Sequence, residues 1–129
     1  MTTDILVVDD EEWIVSVLTR ALIARGYAVR VSTSGADALV ALGEAYPDVM
    51  LLDVNLPDIT GWEVLRRLAP DERRRIGVIV FSASPLAPSR VAEFEPDGVL
   101  LKPFPMDALL RLIDDVVAQR RAPMGGASA

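Results

Sequence analysis

The sequence predicts an α/β fold in which helices cover both faces of a five-stranded parallel sheet. Short apolar runs alternate with segments of helical periodicity along the chain. The run from Asp48 to Asp53 has apolar residues at four successive positions, as expected for a strand buried on both faces of a parallel sheet. Right-handed crossovers between successive strands place the intervening helices on both sides, which makes the sheet doubly wound.

Five strands and five helices follow one another in the predicted order. The strands are predicted at residues 4–8, 27–31, 48–53, 76–81 and 98–101. The helices are predicted to begin at Trp13, Ser34, Thr60, Ser89 and Pro105. Ser34 and Thr60 each precede an acidic residue by three positions, in the manner of a capping box, and Gly26 suits the left-handed end of the first helix.

Several finer features are also predicted. We expect the second helix to turn Ala36, Leu39, Val40 and Gly43 inward, and residues 71–75 to form a charged, solvated loop. Residues 1–121 are expected to form one domain, because a chain of 129 residues is too short for two. Residues 122–129 are expected to be a flexible tail or the start of a linker.

Composition excludes several classes of function. The formal net charge is -6, and basic runs such as 73–75 and 120–121 are no longer than three residues, which argues against direct nucleic-acid binding. The chain has no cysteine and no histidine, so thiol chemistry, disulfides and histidine-based catalysis are excluded. No apolar run approaches the roughly 20 residues that span a bilayer, and no signal peptide is evident. We therefore expect a cytoplasmic protein.

Polar residues collect where the predicted strands end. These residues are Asp9, Asp10, Asp53, Ser82 and Lys102. The carboxyl ends of parallel strands form one edge of the sheet, which is where ligands bind in open α/β folds. Three carboxylates repel one another, and a hard divalent cation such as Mg²⁺ relieves that repulsion. With a lysine and a hydroxyl beside them, they fit phosphoryl transfer to a carboxylate nucleophile.

The chain resembles the receiver domains of bacterial two-component response regulators from residue 4 to about residue 121. The matching motifs are Val-Val-Asp9-Asp10-Glu, Leu-Leu-Asp53-Val-Asn-Leu-Pro57 with Gly61, Ser82-Ala83, and Lys102-Pro103-Phe104. The resemblance implies the flavodoxin-like (βα)5 receiver fold and a conformational switch that is not a classical enzyme.

The resemblance also implies a role for each residue of the site. Asp53 is the phosphoacceptor, and Mg²⁺ is bound by Asp9, Asp10, Asp53 and the backbone carbonyl of Asn55. Lys102 contacts the phosphoryl group, and Ser82 swings to bind it in the switched state. The Lys102–Pro103 peptide bond is expected to be cis.

The implied partners are proteins. They are a sensor histidine kinase or histidine phosphotransfer protein as phosphodonor, and an unidentified downstream protein or output domain. A homodimer on phosphorylation is compatible with this interpretation, and a membrane partner is not expected.

Two positions depart from the family's pattern. Val99 stands where the family usually has an aromatic residue, three positions before the lysine. The segment between Ser82 and Lys102 is about two residues shorter than usual, and Pro88 and Pro96 shorten its helix.

Three other functions are weighed against this one. A pseudo-receiver that works without phosphorylation would be expected to lack Asp53, Lys102 or the acidic pair. A haloacid-dehalogenase phosphatase would have an aspartate at position 55, where this chain has Asn55. A flavin-binding flavodoxin would need a phosphate loop after the first strand, where four acidic residues follow instead.

Overall fold

The computed structural model describes residues 2–121, and the predicted tail at 122–129 lies outside the described residues. The strands are β1 Asp4–Val8, β2 Ala28–Ser32, β3 Val49–Asp53, β4 Gly77–Ser82 and β5 Gly98–Leu101. The helices are α1 Glu12–Ala24, α2 Gly35–Glu44, α3 Gly61–Arg66, α4 Pro70–Arg74, α5 Pro88–Phe94 and α6 Met106–Arg121. Each predicted strand is present within about one residue of its expected bounds.

The five strands form a single parallel sheet in the order β2-β1-β3-β4-β5. The order reverses between β1 and β3, since the chain first moves from β1 to β2 and then returns to the other side of β1. Every residue of β3 and β4 is buried, as the continuous apolar runs predict. The predicted doubly wound fold is confirmed.

Two hydrophobic cores lie on opposite faces of this sheet. Ile5 and Val7 of β1 belong to the core that α1 and α6 cover. The alternate residues Leu6 and Val8 belong to the core that α2 and α3 cover. Side chains of a strand alternate between the faces, so a strand inside two cores must be apolar at every position.

Both predicted helix caps are present. The Ser34 hydroxyl accepts a hydrogen bond from the backbone N–H of Asp37 at 3.0 Å, and that of Thr60 accepts one from Glu63 at 3.1 Å. These bonds satisfy N–H groups that have no partner inside the helix. They fix where α2 and α3 begin.

Two details were predicted wrongly. Residues 71–75 are not a simple loop, because α4 starts on Pro70 and the Glu72 carboxylate accepts a hydrogen bond from the Ala69 N–H at 2.8 Å. Helix α2 buries Gly35, Ala38 and Leu42; of the residues expected to face inward, Leu39 packs against a core, whereas Ala36, Val40 and Gly43 are exposed. Small or apolar residues surround most of α2, so periodicity could not select the face.

No helix within residues 2–121 is long and apolar enough to cross a membrane.

Candidate functional site

The carboxyl ends of four strands deliver polar groups to one place. Asp53 and Ser82 are the last residues of β3 and β4, and Asp9 follows β1 directly. The Asp9 N–H donates to the Ser32 carbonyl at 3.1 Å, and the Lys102 N–H donates to the Ser82 carbonyl at 2.7 Å. Sheet hydrogen bonding therefore continues up to the site and fixes the backbone that carries it.

Three carboxylates converge at this edge. Asp9, Asp10 and Asp53 each offer an oxygen, and these oxygens all lie within 4.8 Å of one another. Asp9 and Asp53 are buried, whereas Asp10 is exposed. Asp9 Oδ1 accepts the Glu11 N–H and Asp53 Oδ1 accepts the Asn55 N–H, both at 2.9 Å. These backbone bonds orient the two buried carboxylates.

Lys102 supplies the positive charge of the cluster. Its Nζ lies 2.8 Å from Asp53 Oδ2, 2.9 Å from Asp9 Oδ2 and 2.8 Å from Glu11 Oε1. The contact with Glu11 was not predicted. An ammonium group has three donors, and all three face carboxylates here.

The electrostatics of the cluster follow from burial and from this lysine. Burial raises the pKa of Asp9, although the Glu11 N–H and Lys102 favour its charged form. The hydrogen bond from Lys102 lowers the pKa of Glu11. Burial disfavours the charge of Lys102, but its bonds to Asp53, Glu11 and Asp9 outweigh that cost and raise its pKa. Lys102 therefore stays charged at neutral pH.

The donor set suits a small, hard cation. Mg²⁺ prefers carboxylate and other oxygen ligands and usually keeps several waters. Asp9, Asp10 and Asp53 offer oxygens on one side, and Asp10 is open to solvent. The cluster contains no nitrogen or sulfur ligand that would favour a softer metal.

Ser82 lies beside the cluster but is turned away from it. Its side chain is buried, and its hydroxyl donates to the Ser84 carbonyl and accepts the Ser84 N–H at 3.2 Å. Within residues 2–121 no hydrogen bond joins this hydroxyl to Asp9, Asp53 or Lys102. Ser82 is thus engaged with the loop after β4.

Two further predicted features are present near Lys102. The Lys102–Pro103 peptide bond is cis. Val99 lies on β5 opposite Val80 and is 38% exposed, so a short β-branched side chain stands at the expected aromatic position.

An apolar groove adjoins the site along α1. It has a volume of about 360 Å³, and Lys102 and Glu11 line its end beside the acidic cluster. Trp13 and Val17 of α1 also line it and are 67% and 47% exposed. Exposed apolar residues in one groove are typical of a binding surface.

This geometry defines a class of protein: a doubly wound α/β domain with an acidic cluster and one lysine at the carboxyl edge of its sheet. The family model described as "Response regulator receiver domain" matches residues 5–114. The chain therefore belongs to the response regulator receiver domain family, as predicted from its motifs.

The chain is similar to several known members. It is 38% identical over 127 residues to the transcriptional regulatory protein KdpE of Mycobacterium tuberculosis, across 93% of this chain and 53% of that protein. The chain thus spans about half the length of this relative.

Two solved structures share the fold. A CheY-like receiver domain protein of Methanospirillum hungatei has a TM-score of 0.86 at 23% identity, across 93% of this chain and 97% of that one. The response regulator TrrA of Thermotoga maritima, solved in complex with Mg²⁺-BeF, has a TM-score of 0.79 at 27% identity, across 89% of this chain and 99% of that one.

Proposed function

We propose that the chain accepts a phosphoryl group on Asp53, with Mg²⁺ held by Asp9, Asp10, Asp53 and the backbone carbonyl of Asn55. The observation that carries this proposal is the buried Asp53 carboxylate, 2.8 Å from Lys102 Nζ and grouped with Asp9 and Asp10. Carboxylates placed close together repel one another, which is unfavourable unless they bind a cation. Such clusters are typical of functional sites, and here one of the carboxylates, Asp53, can also act as the nucleophile.

The transfer is a displacement at phosphorus. One carboxylate oxygen of Asp53 bonds to phosphorus while the bond from phosphorus to the donor breaks, and the donor leaves with the bonding electrons. The donor is the phosphohistidine of a sensor kinase or of a histidine phosphotransfer protein. Bound Mg²⁺ would offset the negative charge of the phosphoryl oxygens. The protein acts as a phosphoacceptor that assists its own phosphorylation.

Lys102 is the residue that couples the phosphoryl group to the rest of the domain. Its ammonium group contacts the Asp53 carboxylate and would follow the added negative charge onto the phosphoryl oxygens. Because Lys102 directly follows β5, such a movement pulls on the loop that joins β5 to α6.

The switched state is expected to be transmitted mainly through residues 84–96. Ser82 can donate to the phosphoryl group only by giving up the hydrogen bond that it donates to the Ser84 carbonyl, which loosens the loop after β4. Val99 is stiff at χ1 and too short to move inward as an aromatic ring would.

Mass spectrometry after incubation with acetyl phosphate and Mg²⁺ tests the proposal. We expect wild type to gain one phosphoryl group and Asp53→Asn to gain none. Asp115→Asn, an exposed aspartate of α6, is the matched control and should gain one like wild type. Unmodified wild-type protein, with the fold intact, would favour the pseudo-receiver alternative.

A second measurement tests the route of the switch. Beryllofluoride, a phosphoryl mimic, should shift the NMR resonances of residues 82–96 strongly and those of 98–101 little. Strong shifts on β5 with an unchanged loop would contradict this route.

A further inference from the structure

A second polar site lies at the opposite edge of the sheet. Arg75, Arg120 and Arg121 line a cavity of about 140 Å³ together with Asp48 and Val117, and we call it the arginine cavity. Its residues come from the turn after α4, the C-terminal end of α6 and the residue before β3. They lie at the amino ends of the strands, so the cavity is separate from the acidic cluster.

The cavity gathers positive charge in a chain of net charge -6. Five of the twelve arginines form salt bridges with carboxylates of the described residues: Arg25, Arg30, Arg66, Arg67 and Arg90. Seven arginines form none within residues 2–121, and five of those are at this edge: Arg73, Arg74, Arg75, Arg120 and Arg121. Most of the arginines that form no salt bridge within residues 2–121 are therefore at this edge, where carboxylates act on Arg73 and Arg75 only from beyond salt-bridge distance.

The one carboxylate in the lining does not neutralise this charge. Asp48 Oδ2 accepts the backbone N–H of Asp4 at 2.7 Å, and Asp48 lies within salt-bridge distance of no arginine in residues 2–121. Three arginines therefore line one cavity with a single carboxylate, whose one negative charge cannot balance their three positive charges. Their mutual repulsion favours an anion from outside the chain.

The arginine stems are held by the fold. Arg120 donates to the Arg74 carbonyl, and its Cδ lies so close to Gly77 that a Cβ there would approach it to 2.8 Å. Arg121 donates to the Thr3 hydroxyl, and the Arg75 guanidinium lies 5.5 Å from the centre of the Tyr46 ring. Neither kind of contact removes charge, and no arginine of the cavity forms a salt bridge within residues 2–121, although Arg75 acts on the Glu72 carboxylate from a greater distance.

From this arrangement we infer that the arginine cavity binds a phosphate group, either free or as the monoester of a small molecule. A phosphate monoester carries close to two negative charges at neutral pH and three strong acceptor oxygens, which match several guanidinium forks better than one carboxylate does. The volume is well below the roughly 300–1,000 Å³ of pockets for drug-sized ligands, so only the phosphate group itself would be enclosed.

NMR titration of the full chain with inorganic phosphate tests this inference. The titration is run in EDTA without Mg²⁺ and at constant ionic strength, so that the acidic cluster repels the anion. We expect saturable shifts at residues 48, 75, 117 and 120. Arg75→Gln and Arg120→Gln should each weaken binding by about tenfold, because each removes a charge-assisted hydrogen bond.

Arg20→Gln and Arg111→Gln are the matched controls, because both arginines are exposed, make no salt bridge within residues 2–121 and lie outside the cavity. They change the net charge by the same amount and should leave the affinity unchanged. If all four variants bound phosphate equally weakly, the loss of affinity would come from the change in net charge and not from the cavity, and the inference would be overturned. Shifts that do not saturate with phosphate concentration would overturn it as well.

Two further ligands separate the sources of the phosphate group. Glycerol phosphate that competes with inorganic phosphate supports a monoester ligand, and failure to compete supports free phosphate. A short DNA duplex is the third ligand. If it bound more tightly than inorganic phosphate and lost affinity in the same Arg75 and Arg120 variants, the cavity would be a nucleic-acid site and the inference would be overturned. The Asp53→Asn variant should bind phosphate in the cavity as wild type does, so this result is independent of phosphoryl uptake.

Discussion

Replacing Gly61 by alanine should damage both the stability of the domain and its reaction with phosphodonors. Gly61 opens α3, and its N–H donates to the Val54 carbonyl at 2.9 Å. A Cβ at this position would lie 2.6 Å from the backbone carbonyl oxygen of Asp53 and 3.1 Å from both Leu52 Cγ and Val54 Cα. Two of these three atoms belong to the backbone of β3 or the residue after it, so no rotamer change relieves the overlap.

The expected cost of Gly61→Ala follows from this overlap. Overpacking a well-packed site costs about 1–3 kcal/mol, which for a domain of this size lowers the Tm by roughly 3–15 °C. Relieving the overlap moves either the Asp53 carbonyl or α3, and α3 is tied to the residue after Asp53 by the hydrogen bond from Gly61 to Val54. Either movement disturbs the backbone that carries Asp53, so phosphoryl uptake should slow even at temperatures where the variant is fully folded.

Gly43→Ala is the matched control for this substitution. Gly43 lies in α2, is exposed, and a Cβ there would meet nothing within 4 Å. Alanine in a helix is about 0.5–1 kcal/mol more favourable than glycine, so this variant should be more stable than wild type. Thermal unfolding followed by circular dichroism and phosphoryl uptake from acetyl phosphate measure the two effects. A Gly61→Ala protein as stable and as reactive as wild type would refute the reasoning.

Three more outcomes are expected. Millimolar Mg²⁺ should raise the Tm of wild type but not of Asp10→Ala, because a cation that binds only the folded state stabilises it. Hydrogen bonds from the backbone N–H groups of Ala36 and Gly35 lower the pKa of Asp58 from 3.8 to about 2. The ionised Asp58 carboxylate therefore stabilises the folded state fully above pH 3.8, the pKa in the unfolded chain, and this stabilisation is lost as the pH falls through 2. Asp58→Asn should therefore lower the Tm at pH 7 by more than at pH 2, in calorimetric scans. Lys102→Ala should accept a phosphoryl group but lose the beryllofluoride-induced NMR shifts beyond the site, and normal shifts would contradict its coupling role.

The strands were predictable because burial on both faces leaves little freedom in their composition. β3 and β4 are enclosed by two cores, so every position had to be apolar until the chain reached the edge with Asp53 and Ser82. The same reasoning failed for α2, where the helix carries small or apolar residues on most sides. Tertiary contacts decide that α2 buries the face that contains Ala38, and one of these contacts is the close approach of Ile59 to Gly35.

The positions of polar residues at the strand ends predicted the acidic cluster. The contact of Glu11 with Lys102 and the arginine cavity were not predicted, because they depend on a loop and on contacts between distant parts of the chain. Glu11 lies in the turn after Asp9, and only the path of that turn decides that it, and not Glu12, reaches Lys102. The arginine cavity was missed for a different reason. Residues 73–75 and 120–121 are far apart in sequence, and only the packing of α6 against the sheet brings them together.

The unpredicted Glu11 contact bears on how Lys102 can change partners. Lys102 is buried against Asp9 and Asp53, whose side chains are 0% and 4% exposed, whereas the Glu11 side chain is 43% exposed. An ion pair open to solvent contributes about 0–1 kcal/mol, but a charge left unpaired in the interior costs several. If a phosphoryl group is added to Asp53, its oxygens need a hydrogen bond from the Lys102 ammonium group. Giving up the contact with the exposed Glu11 costs less free energy than giving up the contact with Asp9, so we expect Lys102 to release Glu11 and to keep Asp9. Release of Glu11 would alter the end of the groove along α1 that it lines, so the surface beside Trp13 would differ between the two phosphorylation states.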